Sequence, residues 1–277
     1  MRRTPAVCVP ALLFVGITIL AQAPPTAIKP WTENRQAIED FLKTARIVRM
    51  QDVKVGVTHP HRVELEPGGP VREMAWKPIT PGMYNGYYES YKSEVAAYEI
   101  NKLLDLDMVP PTVERRHSGI TGAAIMWVDG TKSFREVGGV PGTTAAKEGP
   151  PPAKMYAWNR QLMKAKMFDN LIANVDPNLG NWLFTSNWDL ILIDHSRALT
   201  ITKNLYHKMQ QIDGPLWDRM TALTEAQVTA AVGQWLDKGQ IRALLERRDK
   251  MQSEIQKMIK EKGEPAVIVR VAGTAAE

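Results

Sequence analysis

Residues 174–198 read NVDPNLGNWLFTSNWDLILIDHSRA and set Asp176, Asn181 and Asp194 around two short apolar runs. The runs, Trp182 to Phe184 and Leu190 to Ile193, are strand-like, and Thr185-Ser186-Asn187 between them is turn chemistry. The midpoint of positions 181 and 194 is 187.5, which falls at the turn, so the spacing predicts Asn181 and Asp194 opposite each other at the open end of a hairpin. Asp176, five residues before Asn181 in the turn-rich DPNLGN, is expected to fold back over the same spot. An amide oxygen and a carboxylate converging at a strand end suit a hard cation such as Mg²⁺ or Mn²⁺, which takes few protein oxygens and fills its shell with phosphate and water. A second carboxylate within reach can orient or deprotonate a hydroxyl. That combination is the chemistry of phosphoryl transfer. Asp and Asn also favour turns by bonding their own backbone, so the joint spacing carries the argument and no single residue does.

Phosphates also need a fixed cation. REMAWKPI ends an apolar, strand-like run on Lys77. In the helical segment that follows, Glu94 shares the i, i+3, i+7 row with Ala97, Asn101 and Leu104, a stripe that includes apolar positions. Glu89 and Glu99, five positions away, fall about 140° around such a helix. An inward-facing glutamate needs a cationic partner, and Lys77 is the candidate.

The elements that would position these groups are legible in outline. WTENRQAIEDFLKTARI reads as an amphipathic helix with Thr32 as N-cap and Glu33 in the first turn. From Val48 to Ile79, VKVGV, HRVELE and VREMAWKPI alternate around THP and PGGP, the pattern of an antiparallel meander. YYESYKSEVAAYEINKLLDL predicts a helix closed by DMVPP, and PTVERR and AAIMWV predict two further strands joined by a turn. Residues 129–157, rich in Gly, Pro and small residues, read as a loop or flexible insert at the boundary between two lobes. AWNRQLMKAKMFDNLIAN, the hairpin stretch and several further helices follow. The expectation is a small β-rich lobe at 24–128, the insert at 129–157, and a mainly helical lobe at 158–277.

Composition is that of an ordinary globular chain: 277 residues, 44% hydrophobic, 23% charged, mean hydropathy −0.27. The net charge of +5 shows no basic stripe with interleaved aromatics, which argues against nucleic acid as a partner. Arg2 and Arg3, the apolar run Ala6 to Leu20 and Ala21-Gln22-Ala23 form the pattern of a cleaved secretory leader at 1–23. The run is shorter than the roughly 20 residues of a spanning helix, so an N-terminal membrane anchor is the second reading and no stable membrane insertion is expected after cleavage. The expected location is therefore periplasmic or secreted. Cys8 is the only cysteine, so the mature chain is expected to hold no disulfide and no cysteine metal site. His59 and His61 could share a metal, but two ligands do not make a site; His117 and His207 are expected at the surface. The tryptophans at 127, 182 and 188 read as core or pocket lining. No G-x-S-x-G, H-E-x-x-H or Walker motif is present.

Together the motifs resemble the atypical kinases of the protein-kinase-like superfamily, in particular bacterial relatives of the phosphoinositide 3-/4-kinases and of the secreted Golgi casein and glycan kinases. REMAWKP resembles the nucleotide-lysine strand, SEVAAYEINKLLDLDMVPPTV the following helix and strand, and AAIMWV the hinge strand. NVDPNLGN resembles the catalytic loop and LILIDHSRAL the metal-binding Asp segment. The resemblance, over about Val53 to Leu199, implies an α+β, two-lobed kinase-like fold that uses ATP and Mg²⁺ or Mn²⁺. It implies that Lys77 holds the α/β-phosphates and pairs with Glu94, that Asp176 orients an acceptor hydroxyl, and that Asn181 and Asp194 bind metal. Met126, Trp127 and Val128 would meet the adenine. The acceptor would be a hydroxyl of a protein, glycan or lipid.

The sequence departs from the pattern at several places. There is no G-x-G-x-x-G, and KVGVTHPHRV offers only Gly56, Val57 and Thr58 as a phosphate loop. Pro177 follows Asp176 where relatives carry Arg, and Asn178 stands where a His or Lys stabilises the transferring phosphate. Position 195 is His. An exported compartment is poor in ATP, which keeps open the alternative of a kinase-like binding module without catalysis.

Overall fold

The structure, a computed structural model, describes residues 29, 31–53 and 60–270. The leader, the phosphate-loop candidates Gly56, Val57 and Thr58, and His59 lie outside the described residues. Helix α1 (Arg35–Thr44) buries Ile38 and Leu42, one turn apart, on a single face. Thr32 is not its cap. Asn34 holds that position, and the Thr32 hydroxyl donates to the Lys29 carbonyl at 2.9 Å, closing the turn ahead of the helix.

The first lobe is an antiparallel five-stranded sheet. It uses β1 (Ile47–Asp52), β2 (His61–Leu65), β3 (Glu73–Lys77), β6 (Thr112–His117) and β7 (Ile120–Met126), in the order β1-β2-β3-β7-β6. The first strand thus lies ahead of VKVGV, of which only Val53 is described. Between β3 and β6 come a small hairpin, β4 (Gly82–Tyr84) and β5 (Tyr87–Glu89), and helix α2 (Tyr91–Leu103). The helix therefore starts later than its pattern predicts. Asn85 and Gly86, both at positive φ, make the two-residue turn that pairs YYE as a strand, and Ser90 then caps α2 by accepting from the Lys92 amide at 3.0 Å.

Strand alternation sorts the sheet into two faces. Val63, Met74, Trp76, Ala124 and Met126 pack against α1 with Trp31, Ile38 and Leu42. Arg62, Ala75, Lys77, Ala123 and Ile125 face the other way, where Ala123 and Ile125 meet Tyr91 and Val95 of α2. Lys77 is thus the polar end of a row aimed at α2 and the second lobe.

The second lobe is built on α3 (Pro152–Ile172) and α6 (Lys238–Lys262), with α4 (Gly214–Thr221), α5 (Glu225–Val232) and α7 (Glu264–Val267) around them. It also holds a three-stranded sheet of β8 (Lys132–Ser133), β9 (Trp182–Phe184) and β10 (Leu190–Leu192), and a short parallel pair, β11 (Ile212–Asp213) with β12 (Ile268–Val269). The stretch 129–157, expected as a loop or flexible insert, is packed. β8 pairs with β9, Phe134 and Val137 are in the core, and the Trp158 indole donates to the Pro141 carbonyl at 3.0 Å. Phe134 lies 5.7 Å from Trp158 and 5.6 Å from Trp182, ring centre to ring centre. Isolated apolar residues among Gly and Pro anchor this segment without any periodicity to announce them. No helix among the described residues is long and apolar enough to cross a membrane.

Candidate active site

Lys77, at the end of β3, is 6% exposed and lies between two carboxylates. Its ammonium donates to Glu94 Oε1 and to Asp194 Oδ1, both at 2.7 Å. Period-two alternation on β3 points Lys77 at α2, and Glu94 occupies the first turn of α2, in the buried row with Ala97, Asn101 and Leu104. The second oxygen of Glu94 accepts from the backbone amide of His195 at 2.9 Å. One glutamate thereby fixes both the lysine and the chain next to Asp194.

The electrostatics follow from this geometry. Burial pushes the Lys77 ammonium down, but Asp194 and Glu94 outweigh it and hold the group above its ordinary value. Burial pushes Asp194 up, and Lys77 more than reverses that, holding the carboxyl below the usual range. Burial, opposed by Glu94, keeps the His195 imidazole low and hence neutral. Its ring stands edge-on to Phe168 in the core.

The hairpin register differs from the spacing argument by one residue. Trp182 pairs with Leu192, and the Ile193 amide donates to the Asn181 carbonyl at 3.0 Å, so Asn181 faces Ile193 and Asp194 is one step beyond. The cause is the loop. Thr185 and Asp189 close a three-residue connection with Trp188 in the left-handed region at φ 70°, a place usually left to glycine. Trp188 is held there by stacking on Phe184, ring centres 5.0 Å apart, and by a bond from Gln161 to its carbonyl. Asp194 is itself left-handed at φ 62°, so the chain turns at this residue and sends its carboxylate to Lys77.

Asp176 is positioned from below. Ala173, at φ 50°, ends α3 and turns the chain, and the Asn174 side chain then accepts from the Asp176 amide at 3.2 Å. Asn174 donates in turn to fully buried Asp169, whose other oxygen meets His207. His207, expected at the surface, is therefore a partly buried support of this loop. Asn181 donates to the Asp176 carbonyl at 3.2 Å. Asn178 donates to Asp176 Oδ1 at 3.0 Å, while its own oxygen accepts from the Gly180 amide and from Arg135, both at 2.8 Å. That oxygen is engaged within the loop, which makes Asn178 a brace.

The structure adds a residue that the sequence argument lacks. Arg197 donates to Asp176 Oδ2 at 3.1 Å and to Glu89 at 2.8 Å, with its guanidinium 4.4 Å from the centre of the Tyr87 ring. Its signal in the sequence was only its place three residues after Asp194, with nothing to name its partners. Of the hinge candidates, Met126 sends its side chain into the core under α1 and bonds its amide to Pro111, and Val128 packs on that same core. Trp127 alone turns to the face of Lys77. There the Arg62 guanidinium lies 4.5 Å from its ring centre. His61 bonds Asp52.

A divalent cation fits the oxygens present. Asp194 Oδ2 and Asn181 Oδ1 accept no hydrogen bond among the described residues, and Asp194 keeps 29% of its side chain exposed. Among the described residues no three His, Cys, Asp or Glu side chains gather, so the protein alone offers too few ligands for a cage.

No family model and no curated protein matches the sequence. Solved structures do match in fold. A hydra Fam20 structure with sugar superposes with a TM-score of 0.62 at 15% identity, over 85% of this chain and 92% of that one. A Golgi casein kinase with Mn and ADP bound gives 0.59 at 12% identity, over 84% and 78%. The chain therefore has the two-lobed kinase-like fold, a small antiparallel lobe with one main helix and a mainly helical second lobe.

Proposed function

We propose that this chain is a phosphotransferase that moves the γ-phosphoryl group of ATP to a hydroxyl of a protein, glycan or lipid acceptor. The observation that carries the reading is Lys77, held at 2.7 Å by both Glu94 and Asp194 where the two lobes meet. In this reading Lys77 holds the α/β-phosphates, with Glu94 keeping it in place. Asn181 and Asp194 hold Mg²⁺ or Mn²⁺, which when bound supplies the charge that neutralises the phosphate oxygens. Asp176 orients the acceptor hydroxyl and takes its proton. The Mn and ADP of the Golgi casein kinase structure and the sugar of the hydra one fit such a site. The leader at 1–23 and an exported location belong to the same proposal.

One observation favours a second reading, a module that binds nucleotide without turnover. Both carboxylate oxygens of Asp176 are engaged, by Arg197 and by Asn178. The thermal midpoint with and without ATP and Mn²⁺ tests nucleotide binding, since saturation at 100 times Kd adds about 2.7 kcal/mol. Asp194→Ala is expected to abolish the metal-dependent shift. Asp176→Asn separates the two readings: it should keep the shift and, for an enzyme, lose transfer by about 100-fold or more. A wild type that shifts with no nucleotide or metal would sink the first reading.

A further inference from the structure

On the face of the sheet that carries Lys77, the residues that would meet a nucleobase include an arginine. Arg62 on β2 pairs directly with Ala75 on β3, and Ala75 is two residues from Lys77 on the same face. Strand geometry puts the Arg62 backbone roughly 8 Å from that of Lys77, along and across the strands. That gap is of the order a ribose and one phosphate span. The guanidinium carbon lies over the Trp127 indole, 4.5 Å from its ring centre. Its edge is fixed by Glu73, which accepts from Nε at 2.9 Å and from Nη2, and Asp129 lies 3.7 Å away. With Nε and Nη2 engaged and the indole against one side, the side turned away from Trp127 and the Nη1 end are what the residue has left to offer, and the side chain keeps 42% of its surface exposed.

We infer that Arg62 is a binding residue for the nucleobase, presenting a flat cation backed by Trp127 on which a purine stacks, so that the site takes purine nucleotides by their face and does not tell adenine from guanine. The inference rests on the nucleotide reading above. Its physical basis is that a guanidinium stacks on aromatic faces, every base has such a face, and selectivity from stacking alone is weak. Glu73 and Asp129 neutralise the cation, which keeps the pair in one geometry without a phosphate to hold it.

Calorimetric titration of the full chain with ADP, GDP and UDP, each with Mn²⁺, tests this. ADP and GDP are expected to bind within about threefold of each other, and UDP, with its smaller ring, about tenfold more weakly. Arg62→Ala should weaken both purines by about tenfold. Arg62→Lys should weaken them nearly as much, because an ammonium keeps the charge but has no flat face. Arg62 is partly exposed, so the thermal midpoint without nucleotide should hardly move in either variant. A wild type that binds ADP while Arg62→Ala binds it equally well overturns this inference and leaves the nucleotide site standing. Full retention by Arg62→Lys, or a purine preference above about thirtyfold, also overturns it. No binding of any nucleotide by the wild type overturns both.

Discussion

Lys77 is a cation shared by two carboxylates, and removing it leaves Glu94 and Asp194 without it. Lys77→Met should therefore destabilise the chain by about 3–5 kcal/mol near neutral pH, read by urea unfolding. The pH dependence has a definite sign. The Asp194 carboxyl is held below its ordinary value in the folded chain, so its contribution is complete above about pH 4 and is lost as pH falls through the folded value. The gap between wild type and Lys77→Met should accordingly hold from about pH 7 to about pH 4 and narrow as pH falls further, and a gap that widens below about pH 4 refutes the account. At this scale the sequence was informative where residue type and periodicity coincide, as at Glu94 on a buried row. It was silent about Arg197, because three of its contacts, Glu89, Tyr87 and Asp176, come from distant segments.

Elements set how far such residues are from where spacing puts them. Gly122 on β7 shows the tolerance: a Cβ there would meet the Lys77 carbonyl oxygen and Pro78 Cα at 2.7 Å and the Trp76 ring at 2.9 Å. Backbone cannot swing aside as a side chain can. Gly122→Ala is expected to cost about 1–3 kcal/mol, and to weaken the proposed nucleotide binding by shifting Lys77. Unaltered stability and affinity in that variant would show that β3 yields freely. The hairpin of residues 182–192 was legible in length and type, but its register slipped by one because a tryptophan fills the left-handed loop position and Phe184 stabilises it there. The packing of residues 129–157 was hidden for a related reason. Phe134 and Val137 are single apolar residues, and only the tertiary structure says that they are buried.

For the whole molecule, the two-lobe division could be read from the switch between alternating and helical patterns, whereas the joint between lobes could not. Trp235, after α5, packs on Tyr91, Val95, Ala123 and Ile125 of the first lobe, and its indole donates to Glu114 at 2.9 Å. Trp235→Ala should lower stability by about 2–4 kcal/mol, and Trp235→Phe by about 1 kcal/mol, for the hydrogen bond. Equal effects of the two would assign the joint to the hydrogen bond alone. The segment after the hairpin ties the lobes more tightly still. Asp194 reaches Lys77, the His195 amide Glu94, the Ser196 carbonyl the Ser90 amide, and Arg197 Glu89. Each of these four successive residues finds its partner about a hundred positions earlier in the chain: separations of 117, 101 and 108 residues for three of the bonds. Contacts that close so large a loop form late in folding, after the local elements on either side exist. On refolding, helical signal should therefore return first, and the nucleotide binding proposed above only in a later phase, when residues 194–197 have met their partners.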